Sequence, residues 1–367
     1  MFIAQICQIE SISAVATTVK NDIDLQNTLG IESISASQLS RRLKAISSDF
    51  WETIFTQVSK QATRAVANLS PLPKADRIHI IDASTITLCL NSYLWADYRK
   101  TKAGVKLHQS IVYQDGYTYP EKAVLTTAKH SDISQLDELL VVDHNPLYAF
   151  DRGYVDYKKW DDYCEAGIRF VTRIKDNFII NILAEEPVAN TDMTESIVLL
   201  GNPKTTIMHN KLRLIQTKDS KGNPVEIITN DFKLSAIEIS ETYRIRWQVE
   251  LFFKWIKQHL KVKRFYGQSA NAVYGQIWLA LITYSLLLLT QVKTRTKKTL
   301  LDIQRLLKDT MFKPFTVFLE MLQRQPSKTS KGRQRKDYDL EFEQLSLQVE
   351  SESSSFLDAN DAELNYL

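Results

Sequence analysis

Tyr243, Arg246, Glu250 and Lys257 fall at offsets of 0, 3, 7 and 14 within the segment SAIEISETYRIRWQVELFFKWIKQHL. At about 100° per residue, an α-helix gathers their phenol, guanidinium, carboxylate and ammonium into a sector of roughly 60°. A solvated stripe with spaced ion pairs is the commonplace meaning of such a face. Here, however, one carboxylate stands among cations. Tyr243 and Trp247 flank it with aromatic surface, Lys254 shares the face, and basic residues continue through Lys261, Lys263 and Arg264. A lone acid suits a bound cation, and interleaved bases and rings suit phosphates and nucleobases, so the chemistry suggested is metal-assisted work on nucleic acid. For Lys254 a plain surface lysine is an equal reading.

The segment Ser235–Leu260 has no glycine or proline and a polar start at Ser235, which predicts one long helix. Phe252, Phe253, Trp255, Ile256 and Leu260 give it an apolar side to bury against a sheet. Two further carboxylates stand out by their surroundings. Asp82 interrupts Arg77–Leu88, RIHIIDASTITL, a β-branched run that reads as a strand buried on both faces. A carboxylate there costs several kcal/mol unless it is hydrogen-bonded, paired or bound to a cation. Asp151 closes the short apolar strand Tyr148–Asp151. Gly153 follows, then a helix over Asp156–Ala166 ended by Gly167, then a strand over Arg169–Lys175. An acid at the carboxyl end of a strand, before a crossover helix, occupies a common place for active-site groups.

Around these residues the pattern alternates between helix and strand. Val105–Tyr113 and Lys122–Thr126, joined through Gln114-Asp115-Gly116, complete an antiparallel meander with Arg77–Leu88. Ser134–Leu140 reads as a helical piece. The short β runs Ile197–Leu200, Thr205–Met208, Lys211–Gln216 and Val225–Ile228 form an insertion, and helices follow near Ala270–Val292, Thr299–Lys308 and Phe315–Leu322. The expected organisation is a helical N-terminal region over 1–70, a core over 71–178 and 231–324, a β-strand insertion over 179–230, and a disordered tail over 325–367. Within the first region, Gln38–Lys44 with Arg41, Arg42 and Lys44 reads either as the second helix of a helix-turn-helix touching DNA backbone or as a solvated basic helix in a bundle.

The net charge of +3 hides an asymmetry: nine acidic and no basic residues lie from Asp337 onward, so residues 1–336 carry +12. That excess favours a polyanionic partner. Three scattered cysteines form no ligand pattern and indicate a reducing compartment. The start, MFIAQICQIE, lacks the basic region of a signal peptide. Ile277–Leu289 is too short to span a bilayer and reads as a buried core helix. A cytoplasmic protein with no membrane partner is expected.

Spacing alone would make a metal triad of Asp82, Asp151 and Glu250 a weak inference among 43 acids. The motif Y-x2-R-x3-E-x6-K, formed by Tyr243, Arg246, Glu250 and Lys257, resembles the signature of bacterial insertion-sequence transposases of family four, within the DDE superfamily. IIDAST, FDRGYVDY, FVTRIKDN and FYGQSANAVYGQIWLALITY are similar to the blocks around the first Asp, the second Asp and the C-terminal core of those enzymes. The likeness covers roughly 70–300.

This resemblance implies an α/β, RNase H-like core, a mixed sheet flanked by helices, with a β-strand insertion before the Glu helix. It implies Asp82, Asp151 and Glu250 as catalytic metal ligands for two Mg²⁺ ions, with Mn²⁺ able to substitute. Such ions activate the attacking water or 3′-hydroxyl and stabilise the leaving oxygen. Tyr243, Arg246, Trp247, Lys254 and Lys257 would contact DNA. Partners would be the terminal inverted repeats and target DNA, held by a homodimer in a synaptic complex, in a bacterial, nucleoid-associated setting. His130 and Asp132 occupy a place where relatives have a His-Asp pair and are candidates for support. One departure is the start, where Met1 falls inside what would be a helix of a longer DNA-binding region. The alternatives are therefore a truncated, inactive or domesticated DNA-binding remnant, and an RNase H-like nuclease without strand transfer.

Overall fold

Alternating β-branched residues make Ile78–Leu88 a strand, β1, whose even-numbered side chains face one helical layer and whose odd-numbered ones face another. The computed structural model describes residues 1–69, 77–141, 146–174, 178–189, 191–204, 206–219, 222–262 and 264–324. The Pro71-Leu72-Pro73 break, Ser220 and Lys221 of the hairpin turn, Lys175, Lys263 and the 325–367 tail fall outside them.

The expected meander is present. With β2 a short edge strand at Asp97–Arg99, β1 pairs antiparallel with β3 (Lys102–Gln114), and β3 pairs antiparallel with β4 (Tyr117–Thr127). The β3–β4 turn holds Asp115 at φ 50° and Gly116 at φ 80°, the left-handed pair a tight hairpin requires. On its other side β1 runs parallel to β5 (Leu147–Phe150), which runs parallel to β6 (Arg169–Arg173). A small helix, α6 (Leu136–Leu139), precedes β5, and the crossover helix α7 (Tyr157–Glu165) joins β5 to β6. Asp156 caps the start of α7 by accepting from Lys159 N, and Gly167 ends it at φ 72°. Three antiparallel strands followed by two parallel ones, in the spatial order third, second, first, fourth, fifth, are an RNase H-like core within a mixed α/β sheet.

The insertion strands do not form a separate sheet. β7 (Ile180–Pro187), β8 (Thr194–Asn202), β9 (Thr206–Ile207), β10 (Leu212–Lys218) and β11 (Pro224–Thr229) prolong the same sheet, because β11 pairs antiparallel with β6. β7 is the mostly exposed outer strand, and its NILAEEP sequence gives no alternation by which to find it. Polar ties hold this wing to the core. Asp161 of α7 accepts from the backbone N–H groups of His209 and Asn210 at 3.0 and 2.9 Å. The buried Asp231 carboxylate takes Arg169 at 2.9 Å, while Arg213 donates to the carbonyls of Asp231 and Leu234. These bonds fix the path from β11 into the next helix.

That path corrects one expectation. Ser235–Leu260 is not one helix but two, which follow the five N-terminal helices described below: α8 (Ala236–Ile245) and α9 (Gln248–His259), with Arg246 and Trp247 between them. A capping box of Ser235 and Glu238 opens α8 as the polar start suggested. At the junction Arg246 N bonds to Tyr243 O and Trp247 N to Arg244 O, at 3.1 and 3.2 Å, so the backbone tightens to three-residue closure. Neither glycine nor proline causes it. Ile245, Trp247 and Val249 are modest helix formers, and burial of Val249, Phe252 and Phe253 on the sheet sets where α9 begins.

Met1–Leu322 forms one compact unit, and Gln323–Leu367 lies almost wholly outside the described residues. The first 69 residues are helical: α1 (Phe2–Ile6), α2 (Ile12–Asn21), α3 (Ile23–Leu29), α4 (Ala36–Ala45) and α5 (Ser48–Leu69). Leu39 and Leu43 of α4 pack with Val15, Tyr266 and Ala272, leaving Arg41, Arg42 and Lys44 exposed. One helical layer is α5, α8, α9 and the 25-residue α10 (Ala270–Thr294), over Ile80, Ile86, Leu107 and Val171. By length and composition α10 could cross a membrane, but its apolar side chains are buried in the protein core. α11 (Leu300–Thr310) and α12 (Phe315–Gln323) pack on Ile6 and Leu287. Two glutamines organise the exit from α9. Gln276 of α10 donates to the carbonyls of Lys261 and Arg264, and Gln5 of α1 accepts from Lys261 N at 2.7 Å.

Candidate active site

The parallel register of β1 and β5 places the two aspartates. Ile80 lies opposite Ala149 and Ile81 opposite Phe150, so the next residues along, Asp82 and Asp151, leave adjacent strands side by side. Both continue the parity of Ile80 and Ala149, toward the layer containing α9. Each carboxylate already accepts from the following backbone N–H, Asp82 from Ala83 at 2.7 Å and Asp151 from Arg152 at 2.6 Å. The Asp151 bond opens a 3-10 turn, Arg152–Tyr154.

Across this edge lies the first turn of α9, which carries Glu250, and the tightened junction, which carries Arg246. The Arg246 guanidinium stands between two acids, 3.6 Å from Asp82 Oδ2 and 3.7 Å from Glu250 Oε1, and 5.9 Å from the centre of the Tyr243 ring. These separations are too long for good hydrogen bonds, and the guanidinium nitrogen that makes them is buried without a hydrogen bond among the described residues. Asp82 is 15% exposed and Glu250 37%. Burial pushes the Asp82 carboxyl up to about 8; Arg246 opposes that shift, while Glu250 and Asp151 add to it. Burial works against the charge on Arg246, but Tyr243, Asp82, Asp151 and Glu250 together raise it further above the usual guanidinium range. The Tyr243 hydroxyl is likewise raised, by burial first.

The remaining expected residues are distributed along the same two helices. Lys257, two turns beyond Glu250, donates to Ser84 Oγ at 2.7 Å and Thr85 O at 3.3 Å, anchoring α9 on the strand that carries Asp82. The Trp247 indole N–H is buried without a hydrogen bond among the described residues. Lys254 is half-buried on α9. Among the described residues no three His, Cys, Asp or Glu side chains close into a ready metal cage. The donor set nevertheless fits a hard divalent ion. Three carboxylates act on one another electrostatically, and a single guanidinium offsets them without hydrogen-bonding to them.

His130 does not pair with Asp132 through its ring. Asp132 meets Lys106 Nζ at 3.0 Å and His108 Nδ1 at 3.6 Å, while His130 supplies only its carbonyl to Lys106. Lys106 and His108 alternate on β3, and His108 is paired in register with Ala83, beside Asp82. Their only trace in the sequence is a histidine within an apolar strand. Tyr154, buried three residues after Asp151, was also without a signal; its hydroxyl has no hydrogen-bond partner among the described residues.

Known proteins similar to this chain are transposases. A protein named as a transposase for insertion sequence element IS5377 in Geobacillus stearothermophilus is 28% identical over 289 residues, covering 77% of this chain and 74% of its own. A protein of Sinorhizobium fredii named as transposase y4zB is 34% identical over 199 residues, and there the chain spans 55% of the relative's length. Among solved structures, a piggyBac transposase synaptic complex with hairpin DNA covers 86% of this chain and 72% of its own at 12% identity, with a TM-score of 0.42. The family described as Transposase DDE domain matches residues 73–286, more than half the length, and the chain belongs to that family of transposases.

Proposed function

We propose that this DNA transposase cuts at the ends of an insertion sequence and joins the freed 3′-hydroxyl to target DNA, using Asp82, Asp151 and Glu250 as the carboxylates of a two-metal site. The observation that supports it most is the meeting of Asp82 and Glu250 at one under-bonded guanidinium, with Asp151 leaving the adjacent strand beside Asp82. Membership of the family implies a divalent metal in general. Mg²⁺ is the specific reading, with Mn²⁺ as a substitute, and bound there it would lower the pKa of the attacking water or hydroxyl and stabilise the leaving oxygen.

The chain's own residues then have separate tasks. Asp82 and Asp151, fixed by strand register and by their backbone N–H bonds, supply oxygens from the sheet, and Glu250 supplies one from α9. Arg246, whose buried nitrogen makes long ion pairs and no hydrogen bond among the described residues, would be the group to take a phosphate oxygen. Tyr243 supports that guanidinium from below. Trp247 offers its ring face to DNA, Lys254 a phosphate contact, and Lys257 holds α9 against β1 while lying along the DNA path. The exposed basic face of α4 touches DNA backbone. The narrower assignment to family four rests on the Tyr243-to-Lys257 signature, and a homodimer bridging two ends belongs to the same reading.

The test is cleavage of labelled DNA carrying the ends that flank the coding region, with Mg²⁺ or Mn²⁺ against EDTA, beside Asp82→Ala. Metal-dependent nicks that Asp82→Ala lacks support the reading. Joined products separate it from a simple nuclease, and binding without cutting sinks it in favour of a DNA-binding remnant.

A further inference from the structure

Past the far end of β1 stands Leu94, at 72% the most exposed large apolar side chain among the described residues. β1 loses β5 after Ile81 but stays paired with β3 as far as Leu88, opposite Ala103, about 20 Å of strand beyond Asp82. The chain then passes from one side of β3 to the other through two 3-10 turns, Leu90–Ser92 and Leu94–Ala96, and enters β2. Both neighbours of Leu94 are anchored. Tyr93 meets the Phe265 ring at 6.5 Å, while Trp95 meets Tyr274 at 5.5 Å and donates its indole N–H to Gln268 O at 2.8 Å. The two rings are engaged on the α9–α10 connection, and the leucine between them is held out to water.

A lone exposed leucine needs no explanation, but this one leads into a basic hairpin. Arg99 and Lys102 face each other across β2 and β3, Lys100 sits in the turn between them, and all three are exposed. Like charges directly opposite in a ladder cost stability, which an anion shared by both would relieve. Arg99 lies 5.6 Å from the centre of the Tyr98 ring, and Lys129 adds a fourth cation by pairing with Asp97 at 2.9 Å.

This tip is also the end of a line that begins at the carboxylates. Glu250 is on the first turn of α9, Lys257 reaches Ser84 and Thr85 further along β1, and the connection beyond carries the exposed Arg264 beside Phe265, the partner of Tyr93. Tyr266, next in the chain, packs with Leu39 and Leu43 of α4, and Asn271 donates to Lys44 O at 3.0 Å.

We propose that the β1–β2 tip is a second contact to the duplex of the transposon end, in which Arg99, Lys100 and Lys102 take phosphates and Leu94 wedges against the base pairs. At 3.4 Å per base pair, 20 Å of strand puts the wedge about six base pairs from the cut. The inference rests on the DNA reading above. Its occupant is the end duplex because the line of cations continues to the exposed basic face of α4. Apolar side chains pressed into a groove unstack the base step they enter, so the contact has an optical signature.

The experiment uses the full-length protein and duplexes carrying the ends that flank the coding region, in EDTA so that the strands stay intact. 2-Aminopurine is placed singly at successive positions around the sixth base pair, and affinity is measured across a salt series. Expected in wild type is a fluorescence rise confined to one or two adjacent positions. Leu94→Met should keep the rise, and Leu94→Ala should abolish it and weaken affinity about tenfold while melting as wild type does. Arg99→Ala with Lys100→Ala should lower the salt slope by about two units. A rise that persists in Leu94→Ala, no rise at any position with DNA bound, or an unchanged slope in the double variant overturns the inference and leaves the carboxylate site untouched. A dimer that Leu94→Ala dissolves without DNA overturns it in favour of a contact between copies. Wild type that binds end DNA no more tightly than an unrelated duplex removes the end-DNA reading and this inference with it.

Discussion

Asp82 and Asp151 emerge from adjacent parallel strands in consecutive register, one step past the pairing of Ile81 with Phe150. Two acids so placed are held close by sheet hydrogen bonds rather than by attraction, and burial with mutual repulsion lifts the Asp82 carboxyl to about 8. Replacing Asp82 with Asn should therefore abolish cutting without loss of fold. Nicking by Asp82→Asn at the EDTA background, with a melting temperature equal to or above wild type, is the expected pair of results.

Glu250 comes from a helix, is more exposed than Asp82, and meets Arg246 only at 3.7 Å. Glu250→Gln should remove one metal ligand while leaving affinity for end DNA nearly unchanged, as read by gel shift beside the cleavage assay. Wild-type cleavage by this variant would take Glu250 out of the chemistry.

Arg246 offsets two acids at once, so its loss has a stability signature as well as a binding one. Arg246→Ala should cost roughly 3 kcal/mol by leaving the carboxylates uncompensated. Added Mg²⁺ should recover much of it, giving a larger upward melting shift than in wild type. The slope of DNA affinity against salt should fall by about one unit.

His108 supplies a pH dependence of its own. Burial lowers it to about 4; Asp132 opposes the shift, and Lys106 and His130 add to it. Its unfolded value is about 6.5, so between these limits the unfolded chain binds the extra proton. Stability is thus present above pH 6.5 and lost as pH falls toward 4, by about 3 kcal/mol at most. Urea unfolding of wild type and His108→Gln from pH 7 to 4 checks this, and the variant's curve should be flatter.

On α4, Arg41, Arg42 and Lys44 are exposed while Leu39 and Leu43 hold the helix in place. Arg41→Ala with Arg42→Ala should weaken binding similarly on all sequences and lower the salt slope by about two units at most. An unchanged slope would make α4 a bundle helix only.

What was legible in the sequence was what local chemistry writes. Asp82 stood out because a charge breaks an apolar strand, Asp151 because a strand, a glycine and a helix surround it, and Ser235 because a polar start before a stretch without glycine or proline announces a helix. The tightened junction at Arg246 and Trp247 was not legible, since no breaker residue marks it and packing of Val249 and Phe252 on the sheet decides it. Nor was the approach of Asp132 to Lys106 and His108 rather than to the His130 ring, because the folding of the loop after β4 onto β3, not sequence proximity, makes these neighbours. β7 escaped for lack of alternation, as an outer strand with little to bury has little to pattern.

The bond from Lys261 N to Gln5, with Gln276 on the carbonyls nearby, means that the far end of α9 is moored by the first helix of the chain. Trimming the start of the protein would then slacken the mooring of the helix that presents Glu250. A deletion meant to strip away end recognition while sparing chemistry must keep Gln5, or a failure to cut will be mistaken for a failure to recognise.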